Sequence, residues 1–262
     1  MASPRVLLFG GSGGLGRAMT ELMLTKSWQV TSVVRDSKQT ESILRLGPGD
    51  TSKANVLLLD LESMDDQDAS KVLEQVQPNY VIFAAASVSN PNAVDRDSAK
   101  KIIKASANNP SITKFLMISF PTSRRKRAPW WTDSDYKQYL DEMRAYPQIA
   151  NAKIDADEYL VAMAKVRESS GLPFQAISLR PSWLTNNQKG KVHLGKTKSI
   201  GQVSRTDVAA VAVSLLSRDD SSGWFDLVEG NDDIEKAVDQ VVRDNVNTVE
   251  GEDLNYMYRL AA

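Results

Sequence analysis

A glycine-rich turn near the amino end most constrains what this chain can fold into. It follows the apolar run 6–9 and precedes a segment whose apolar residues recur at helical spacing. Gly10, Gly13 and Gly16 stand three residues apart, which suits a tight turn, close approach to a pyrophosphate and close packing of a strand on a helix. A helix beginning at about Gly14 directs free amides and its positive dipole end at phosphates. This context predicts a dinucleotide-binding turn, with a flexible linker as the alternative.

Composition limits the class of protein. The 262 residues are 42% hydrophobic and 25% charged, so we expect one α/β domain over 1–262 with a full core. Lys and Arg number 32 against 33 Asp and Glu, which favours a small-molecule substrate and no nucleic acid. No apolar stretch has the length of a membrane helix, and the first residues lack a secretory signal. We therefore expect no membrane partner and a cytoplasmic location.

Cysteine and histidine content bears on redox and metal chemistry. The sequence contains no cysteine, which excludes disulfides, thiolate zinc sites and cysteine nucleophiles. The one histidine, His193, has no second histidine or acid cluster at ligand spacing, so we interpret it as a surface side chain. We expect no metal site.

Strand-length apolar runs alternate with helical patterns. The runs predict strands buried on both faces at 6–9, 30–34, 56–59, 80–84, 115–118, 174–179 and 224–228. The helical patterns lie at 14–26, 64–77, 93–108, 147–170, 206–217 and 233–245. This alternation predicts a single doubly wound, mostly parallel α/β sheet of about seven strands, which is Rossmann-like.

Two segments, 120–146 and 185–200, interrupt the alternation after strand ends. Ligands bind at the carboxyl edge of an open α/β sheet, so both are predicted to be lid insertions with the substrate between them. The first contains the basic run 124–127, followed by Trp130 and Trp131. Such a run is typical of a solvated surface; the alternative is an anion site at the pocket rim, with the tryptophans stacked on the substrate.

Nine motifs spread over nearly the whole chain carry a family resemblance. They are GGSGGLG at 10–16, VVRD at 33–36, LLLDL at 57–61, FAAAS at 83–87, MIS at 117–119, AKIDAD at 152–157, LRPSWL at 179–184, SRTDVA at 204–209 and FDLVEGNDDIEKAV at 225–238. Together they resemble the atypical short-chain dehydrogenases/reductases, near the flavin and biliverdin reductase B-like and NmrA-like groups. The resemblance implies a Rossmann fold that binds NAD(P).

Cofactor-binding residues follow at the strand ends. The turn residues Gly10, Ser12, Gly13, Gly14, Leu15 and Gly16 are predicted to hold the pyrophosphate. The resemblance further implies an adenine site at Asp60 and Leu61, a ribose site at Ala84, Ala85, Ala86 and Lys153, and a nicotinamide site at Pro181, Ser182, Trp183 and Leu184. Ordinary core packing remains the alternative for the alanines and for Trp183.

Arg35 bears on the choice between NAD and NADP. It ends the second predicted strand, where an acid would accept hydrogen bonds from an unphosphorylated ribose. A guanidinium there suits a 2′-phosphate, so the sequence predicts NADPH in preference to NADH. The adjacent Asp36 opposes this prediction, and a solvated Arg35 is the alternative.

The catalytic tyrosine of the resembled family has no counterpart. Lys153 matches the family's lysine, but Ile149 stands four residues earlier, where the tyrosine would be. Tyr146 is a substitute candidate and Ser119 matches the family's serine, so Ser119, Lys153 and Tyr146 are the predicted catalytic residues. A capping role for Ser119 and a surface position for Lys153 are the alternatives.

These features favour an NADP(H)-dependent reductase that transfers hydride to a small conjugated or aromatic compound, a reaction that does not strictly require the tyrosine. One alternative is a redox-neutral isomerase or dehydratase. The lid acids available to it are Asp133, Asp135, Asp141 and Glu142. Another is a non-catalytic NADP sensor of the NmrA type. Both a monomer and a homodimer remain open.

Overall fold

Two β-sheets occur in the computed structural model, which describes residues 3–47, 51–188 and 190–261. The strands of this part are β1 (Arg5–Phe9), β2 (Gln29–Val34), β3 (Ala54–Leu58), β4 (Tyr80–Phe83), β5 (Lys114–Ile118), β6 (Gln175–Pro181), β7 (Trp183–Thr185), β8 (Val192–Gly195), β9 (Gln202–Ser204) and β10 (Gly223–Glu229). Strands β7 and β9 form a small parallel pair, and the other eight form the central sheet.

The central sheet has the strand order β3-β2-β1-β4-β5-β6-β10-β8. Its neighbours are parallel except for β10 and β8, which pair antiparallel. The chain moves outward from β1 to β3 and then returns to β4 on the other side of β1, so the winding reverses there. In such a sheet the crevice beyond the ends of β1 and β4 binds ligands. The predicted doubly wound fold is confirmed, with eight strands instead of about seven.

Helices cover both faces of this sheet. Those described are α1 (Gly14–Thr25), α2 (Thr40–Leu44), α3 (Asp66–Val76), α4 (Ala99–Asn108), α5 (Asp133–Ala145), α6 (Pro147–Ser169), α7 (Arg205–Leu216), α8 (Ile234–Arg243) and α9 (Leu254–Tyr258). Helices α1, α7 and α8 pack together on one face, and α3, α4 and α6 on the other. Within the described ranges, no helix is both long enough and apolar enough to cross a bilayer.

Strand β1 illustrates how the sequence produces this layering. Val6 and Leu8 belong to the hydrophobic cluster that includes α1 and α7, whereas Leu7 and Phe9 belong to the cluster on the opposite face. Side chains alternate across a strand, so an uninterrupted apolar run is buried on both sides. Each such side chain contributes roughly 1.5–3 kcal/mol on burial.

Both predicted lid segments contain regular structure that the sequence analysis did not predict. Segment 120–146 contains α5, and segment 185–200 contains β8, the antiparallel edge strand of the central sheet. In β8, Val192 and Leu194 are buried while His193 is exposed. Segment 185–200 is therefore partly a piece of the sheet, and not a lid throughout.

Candidate functional site

A cleft of about 1030 Å³ opens beyond the carboxyl ends of β1 and β4. Its walls come from the glycine turn, the ends of β2 to β6, helix α5 and the start of α6. Every residue predicted as part of the site lies on its lining: Gly10, Ser12, Gly13, Gly14, Leu15, Gly16, Arg35, Asp60, Leu61, Ala84, Ala85, Ala86, Ser119, Tyr146, Lys153, Pro181, Ser182, Trp183 and Leu184. The fold thus brings together side chains from across the sequence.

At two positions of the glycine turn a side chain would meet backbone. Gly10 has a φ of +87°, and a Cβ there would lie 2.6 Å from the backbone nitrogen of Ala85. A Cβ on Gly16 would lie 2.3 Å from the carbonyl oxygen of Gly10. Real Cβ atoms do not approach backbone so closely, so glycine is required where the turn passes β4 and enters α1.

Helix α1 begins at this turn without a side chain to satisfy its first amides. Its N-cap is Gly13, no side chain caps it, and its first turn contains no acid. The first backbone amides of a helix have no partner within the helix, and its dipole is positive at this end. The amino end of α1 therefore provides the donors and the field of an anion site on the cleft lining.

Arg205 is a cleft residue that the sequence analysis missed. It is the first residue of α7, and its Cδ and Nε lie 3.1 and 3.3 Å from the position that a Cβ on Gly14 would take. Its Nη1 donates to Asn186 Oδ1 at 2.7 Å and to the carbonyl of Leu184 at 3.5 Å. No carboxylate of the described chain pairs with it, so a free positive charge lies over the amino end of α1. The SRTDVA motif was the available signal.

At the end of β2, Arg35 extends into solvent along the cleft. Its side chain is 73% exposed, and its Nη1 lies 3.7 Å from Glu62 Oε1. The neighbouring Asp36 accepts a hydrogen bond from the backbone nitrogen of Lys38 at 2.9 Å. Asp36, the acid whose charge would repel a phosphate, is therefore hydrogen-bonded within its own turn. The acid that contacts Arg35 is Glu62.

Lys153 forms an ion pair with a buried acid. Its Nζ lies 3.0 Å from Asp95 Oδ1, and the Asp95 side chain is only 2% exposed. Asp95 Oδ2 also accepts from the backbone nitrogen of Ser87 at 2.9 Å. Asp95 belongs to the π-helical segment Asn92–Ser98, a distortion frequent at functional sites. Lys153 is therefore a positioned cleft residue and not a solvated surface lysine.

Ser119 connects the cleft floor to a second buried acid. Its Oγ donates to Asp157 Oδ2 at 2.5 Å, and Ser178 Oγ donates to Asp157 Oδ1 at 2.6 Å. Arg180 Nη1 lies 2.6 Å from the same Oδ2. Burial raises the pKa of Asp157, and Arg180 opposes that change. With its hydrogen given to Asp157, Ser119 presents acceptor lone pairs to the cleft.

Arg180 extends this network away from the cleft. Its Nε donates to Asp226 Oδ1 at 2.9 Å, and its guanidinium lies 4.1 Å from the ring centre of Trp224. Thr248 Oγ1 donates to the same Asp226 oxygen at 3.0 Å. Burial raises the pKa of Asp226 to about 6. Sequence reasoning noted Arg180 and Asp226 only as parts of motifs, since their pairing needs β6 beside β10.

Three aromatic side chains, Phe120, Tyr146 and Trp183, line the cleft, and we call them the aromatic wall. The ring centre of Trp183 lies 5.5 Å from that of Phe120 and 5.6 Å from that of Tyr146, both edge-to-face. Trp183 and Tyr146 remain 41% and 45% exposed. Exposed aromatic surface inside a cleft favours a planar apolar ligand.

Only one of the four lid acids lines the cleft. Asp133 pairs with Arg127, Asp135 completes the cap of α5, and Asp141 pairs with Arg144. Glu142 lies on the cleft lining, and burial raises its pKa. The set of acids considered for redox-neutral chemistry is thus reduced to one.

In the basic run 124–127, Arg124 is buried and the other three residues are exposed. Arg124 is buried, pairs with Glu252 at 3.2 Å and donates to the carbonyls of Thr248 and Glu250 at 3.2 and 2.7 Å. Arg125 pairs with Glu158 at 2.7 Å. None of the four basic residues lines the cleft. The run ties the first lid segment to the carboxyl-terminal region, so for Arg124 both the solvated surface and the anion site were wrong interpretations.

Trp130 and Trp131 also lie away from the cleft. Their indole nitrogens both donate to the carbonyl of Thr197, at 2.8 and 3.1 Å. They join the two lid segments to each other, so stacking of these tryptophans on a substrate is not what the structure supports. In the part of the chain that is described, no cluster of three or more His, Asp or Glu residues suits a metal ion.

Comparison with known proteins identifies the family. The family described as NAD(P)H-binding matches residues 10–219. The chain belongs to this NAD(P)H-binding family. The match begins at Gly10 and covers the glycine turn and α7 with Arg205. Among curated proteins, the comparison finds no match.

Solved structures share the fold of this family member at low sequence identity. The oxidoreductase YlbE from Lactococcus lactis has a TM-score of 0.70 and 18% identity over 91% of this chain and 96% of its own. A protein described as an NAD-dependent epimerase/dehydratase from Bacillus halodurans has a TM-score of 0.68 and 23% identity, over 91% of this chain and 100% of its own. The anaerobillin reductase ChuY from Escherichia coli O157:H7 has a TM-score of 0.64 and 19% identity, over 86% of this chain and 97% of its own. The predicted resemblance is confirmed for family and fold.

Proposed function

We propose that this chain is an NADPH-dependent reductase of a small conjugated or aromatic compound. The observation that carries the proposal is the two-part cleft, in which the uncapped amino end of α1 belongs to one part and the aromatic wall forms the other. A dinucleotide suits the first part because its diphosphate matches the free amides. A planar hydride acceptor suits the second.

The cleft residues fit the cofactor along its length. Gly10 and Gly16 let the turn pass close to β4 and to the start of α1, where a side chain would meet backbone, and Arg205 adds an unpaired positive charge beside the amino end of α1. Asp60 and Leu61 would bind the adenine, Ala84 to Ala86 would contact a ribose, and Lys153 would bind the second ribose. The loop 181–184 would press on the nicotinamide.

Arg35 supports NADPH over NADH. Its exposed guanidinium at the end of β2 is free to turn toward a 2′-phosphate, because the 3.7 Å pair with Glu62 is solvent-exposed and weak. Asp36, engaged by the backbone of Lys38, does not compete for it. NADPH binding would exchange the Glu62 contact for a stronger, doubly charge-assisted one.

A reduced nicotinamide supplies the hydride, and the chain supplies orientation and a dry site. The aromatic wall would hold the acceptor ring, Lys153 would fix the ribose, and Ser119 would accept a hydrogen bond from the substrate. The redox-neutral alternative retains only Glu142 among its lid acids, and no observation here favours the sensor.

The test is oxidation of NADPH by the purified protein with a panel of quinones, flavins, enones and N-alkylated heteroaromatic cations, alongside calorimetry with NADPH. We expect binding of the nucleotide and its oxidation with at least one planar acceptor. Binding without oxidation by any acceptor would favour the sensor. No heat with NADPH or NADH would overturn the assignment of the cleft.

A further inference from the structure

We infer that the hydride acceptor is a planar cation, an iminium or an N-alkylated heteroaromatic ring, whose positive charge lies against Glu142 and whose ring lies on the aromatic wall. This inference rests on the proposed function and narrows its substrate class.

The first step concerns the acids that line the cleft and their partners. Its described lining contains five carboxyl groups: Asp36, Asp60, Glu62, Asp95 and Glu142. The first four each have a partner, respectively the backbone nitrogens of Lys38 and Glu62 and the side chains of Arg35 and Lys153. In the described chain the Glu142 side chain has neither a hydrogen bond nor an ion pair. One cleft acid is thus left for a ligand.

The second step concerns the position of Glu142 relative to the aromatic wall. It lies one helical turn before Tyr146, whose backbone nitrogen donates to the Glu142 carbonyl at 3.0 Å. Glu142, Tyr146 and Trp183 all line the same cleft, and Tyr146 contacts Trp183, so the carboxyl group faces the cleft that contains the aromatic wall. Partial burial raises the pKa of Glu142, and no cation opposes this effect. A ligand cation would relieve that cost and would also be attracted by the aromatic faces.

The third step concerns position 149, where the chain has no tyrosine to donate a proton. Ile149 occupies the cleft where the family's tyrosine would stand, and Ser119 gives its hydrogen to Asp157. Reduction of an enone or quinone consumes one proton for each hydride. An iminium does not: its carbon gains the hydride of the dihydronicotinamide, the C=N bond becomes single, and the π electrons become the nitrogen lone pair. The charge moves to the oxidised cofactor, and no proton is taken up.

Reduction also changes the affinity of the site for its ligand. An N-alkylated heteroaromatic acceptor enters with the charge that matches Glu142 and leaves as a neutral dihydro ring, whose nitrogen lone pair is conjugated and stays unprotonated, so that attraction is lost. A neutral acceptor would gain nothing from an unpaired carboxylate beside the aromatic wall. The cleft therefore favours the cationic reactant over its product.

Binding of three planar probes tests this inference without turnover. The probes are N-methylquinolinium as the cation, quinoline as its neutral counterpart and 2-naphthoate as the anion. Binding to protein saturated with NADP+ is followed by quenching of tryptophan fluorescence at neutral pH. We expect the cation to bind at least tenfold more tightly than quinoline, and 2-naphthoate to bind most weakly.

Variants separate the charge from the rings. Glu142→Gln should remove the preference for the cation and leave quinoline binding unchanged, while Trp183→Leu should weaken the cation and quinoline alike. Asp141→Asn is the matched control, since Asp141 precedes Glu142 on α5 but pairs with Arg144. Thermal midpoints verify that each variant is folded.

The inference is overturned if wild-type protein binds quinoline as tightly as N-methylquinolinium, or if the preference survives Glu142→Gln. Calorimetry with NADPH separates this failure from that of the proposed function. A protein that binds NADPH but not the cationic probe contradicts the substrate class alone, whereas one that binds no nucleotide contradicts the reductase itself.

Discussion

Ser119 and Asp157 are joined by a hydrogen bond of 2.5 Å that connects the cleft floor to a fully buried ion pair. Asp157 shares its charge with Arg180, which in turn contacts Asp226. One cation therefore depends on two acids, neither of which reaches solvent. Such an arrangement holds the end of β6, where the loop 181–184 begins, in a single position.

Asp157→Asn should destabilise the protein by about 3 kcal/mol or more, because it leaves part of a buried positive charge uncompensated. Urea unfolding measures the loss. The control is Asp155→Asn, on the same helix, because its partly exposed pair with Arg125 contributes at most about 1 kcal/mol. Equal losses in the two variants would mean that the buried pair contributes no more than the surface one.

Stability should depend on the protonation of Asp226. Its pKa is raised to about 6 from 3.8 in the folded state, so the folded protein binds the proton more tightly than the unfolded chain. This contribution is complete below pH 3.8 and is lost as the pH rises to about 6. The loss is roughly 3 kcal/mol by the usual conversion of pKa shifts.

Asp226→Asn isolates this effect, since asparagine does not titrate. Urea unfolding at successive pH values should show wild-type stability falling relative to the variant between about pH 4 and 6. A rise over the same interval would mean that Arg180 stabilises the ionised Asp226 more than burial penalises it.

Local pattern predicted much of the fold but less of the site. The run 6–9, the glycine turn and α1 follow one another in sequence, so spacing alone located them. β8 escaped prediction because it has four residues with His193 among them, and pairs only with the distant β10. Arg205 and the pairing of Arg180 with Asp226 were missed for the same reason, because each depends on the packing of an element distant in sequence, α7 or β10.

Arg205 and Arg35 should affect nucleotide binding differently. Arg205→Gln should weaken NADPH and NADH equally, by about tenfold, because it removes a charge-assisted contact to the shared pyrophosphate. Arg35→Asp should weaken NADPH far more than NADH. Calorimetry gives both affinities. Arg17→Gln is the control for the loss of a positive charge. Arg17 also lies on α1, but it donates a hydrogen bond to Ser42 and does not line the cleft. A selective loss of NADPH in Arg205→Gln would contradict the assigned contact.

Glu62 should oppose NADPH binding through its contact with Arg35. Glu62→Gln frees the guanidinium and removes a negative charge near the 2′-phosphate, so NADPH should bind a few-fold more tightly while NADH is unaffected. The same calorimetric titrations measure this. Tighter binding of both nucleotides would locate the effect elsewhere, since they differ only in that phosphate.

The glycine turn should tolerate substitution at one position and not at another. A Cβ on Gly16 would lie 2.3 Å from the carbonyl oxygen of Gly10, and backbone at that distance cannot move aside without opening the turn, so Gly16→Ala should lose NADPH binding and lower the thermal midpoint. Gly13 is the matched comparison, because the nearest atom to its Cβ would be 3.5 Å away. Gly13→Ala should change stability by no more than about 1 kcal/mol, the usual difference between these residues at an N-cap. Equal thermal midpoints in the two variants would mean that the close approach of α1 to the turn is not what requires glycine at position 16.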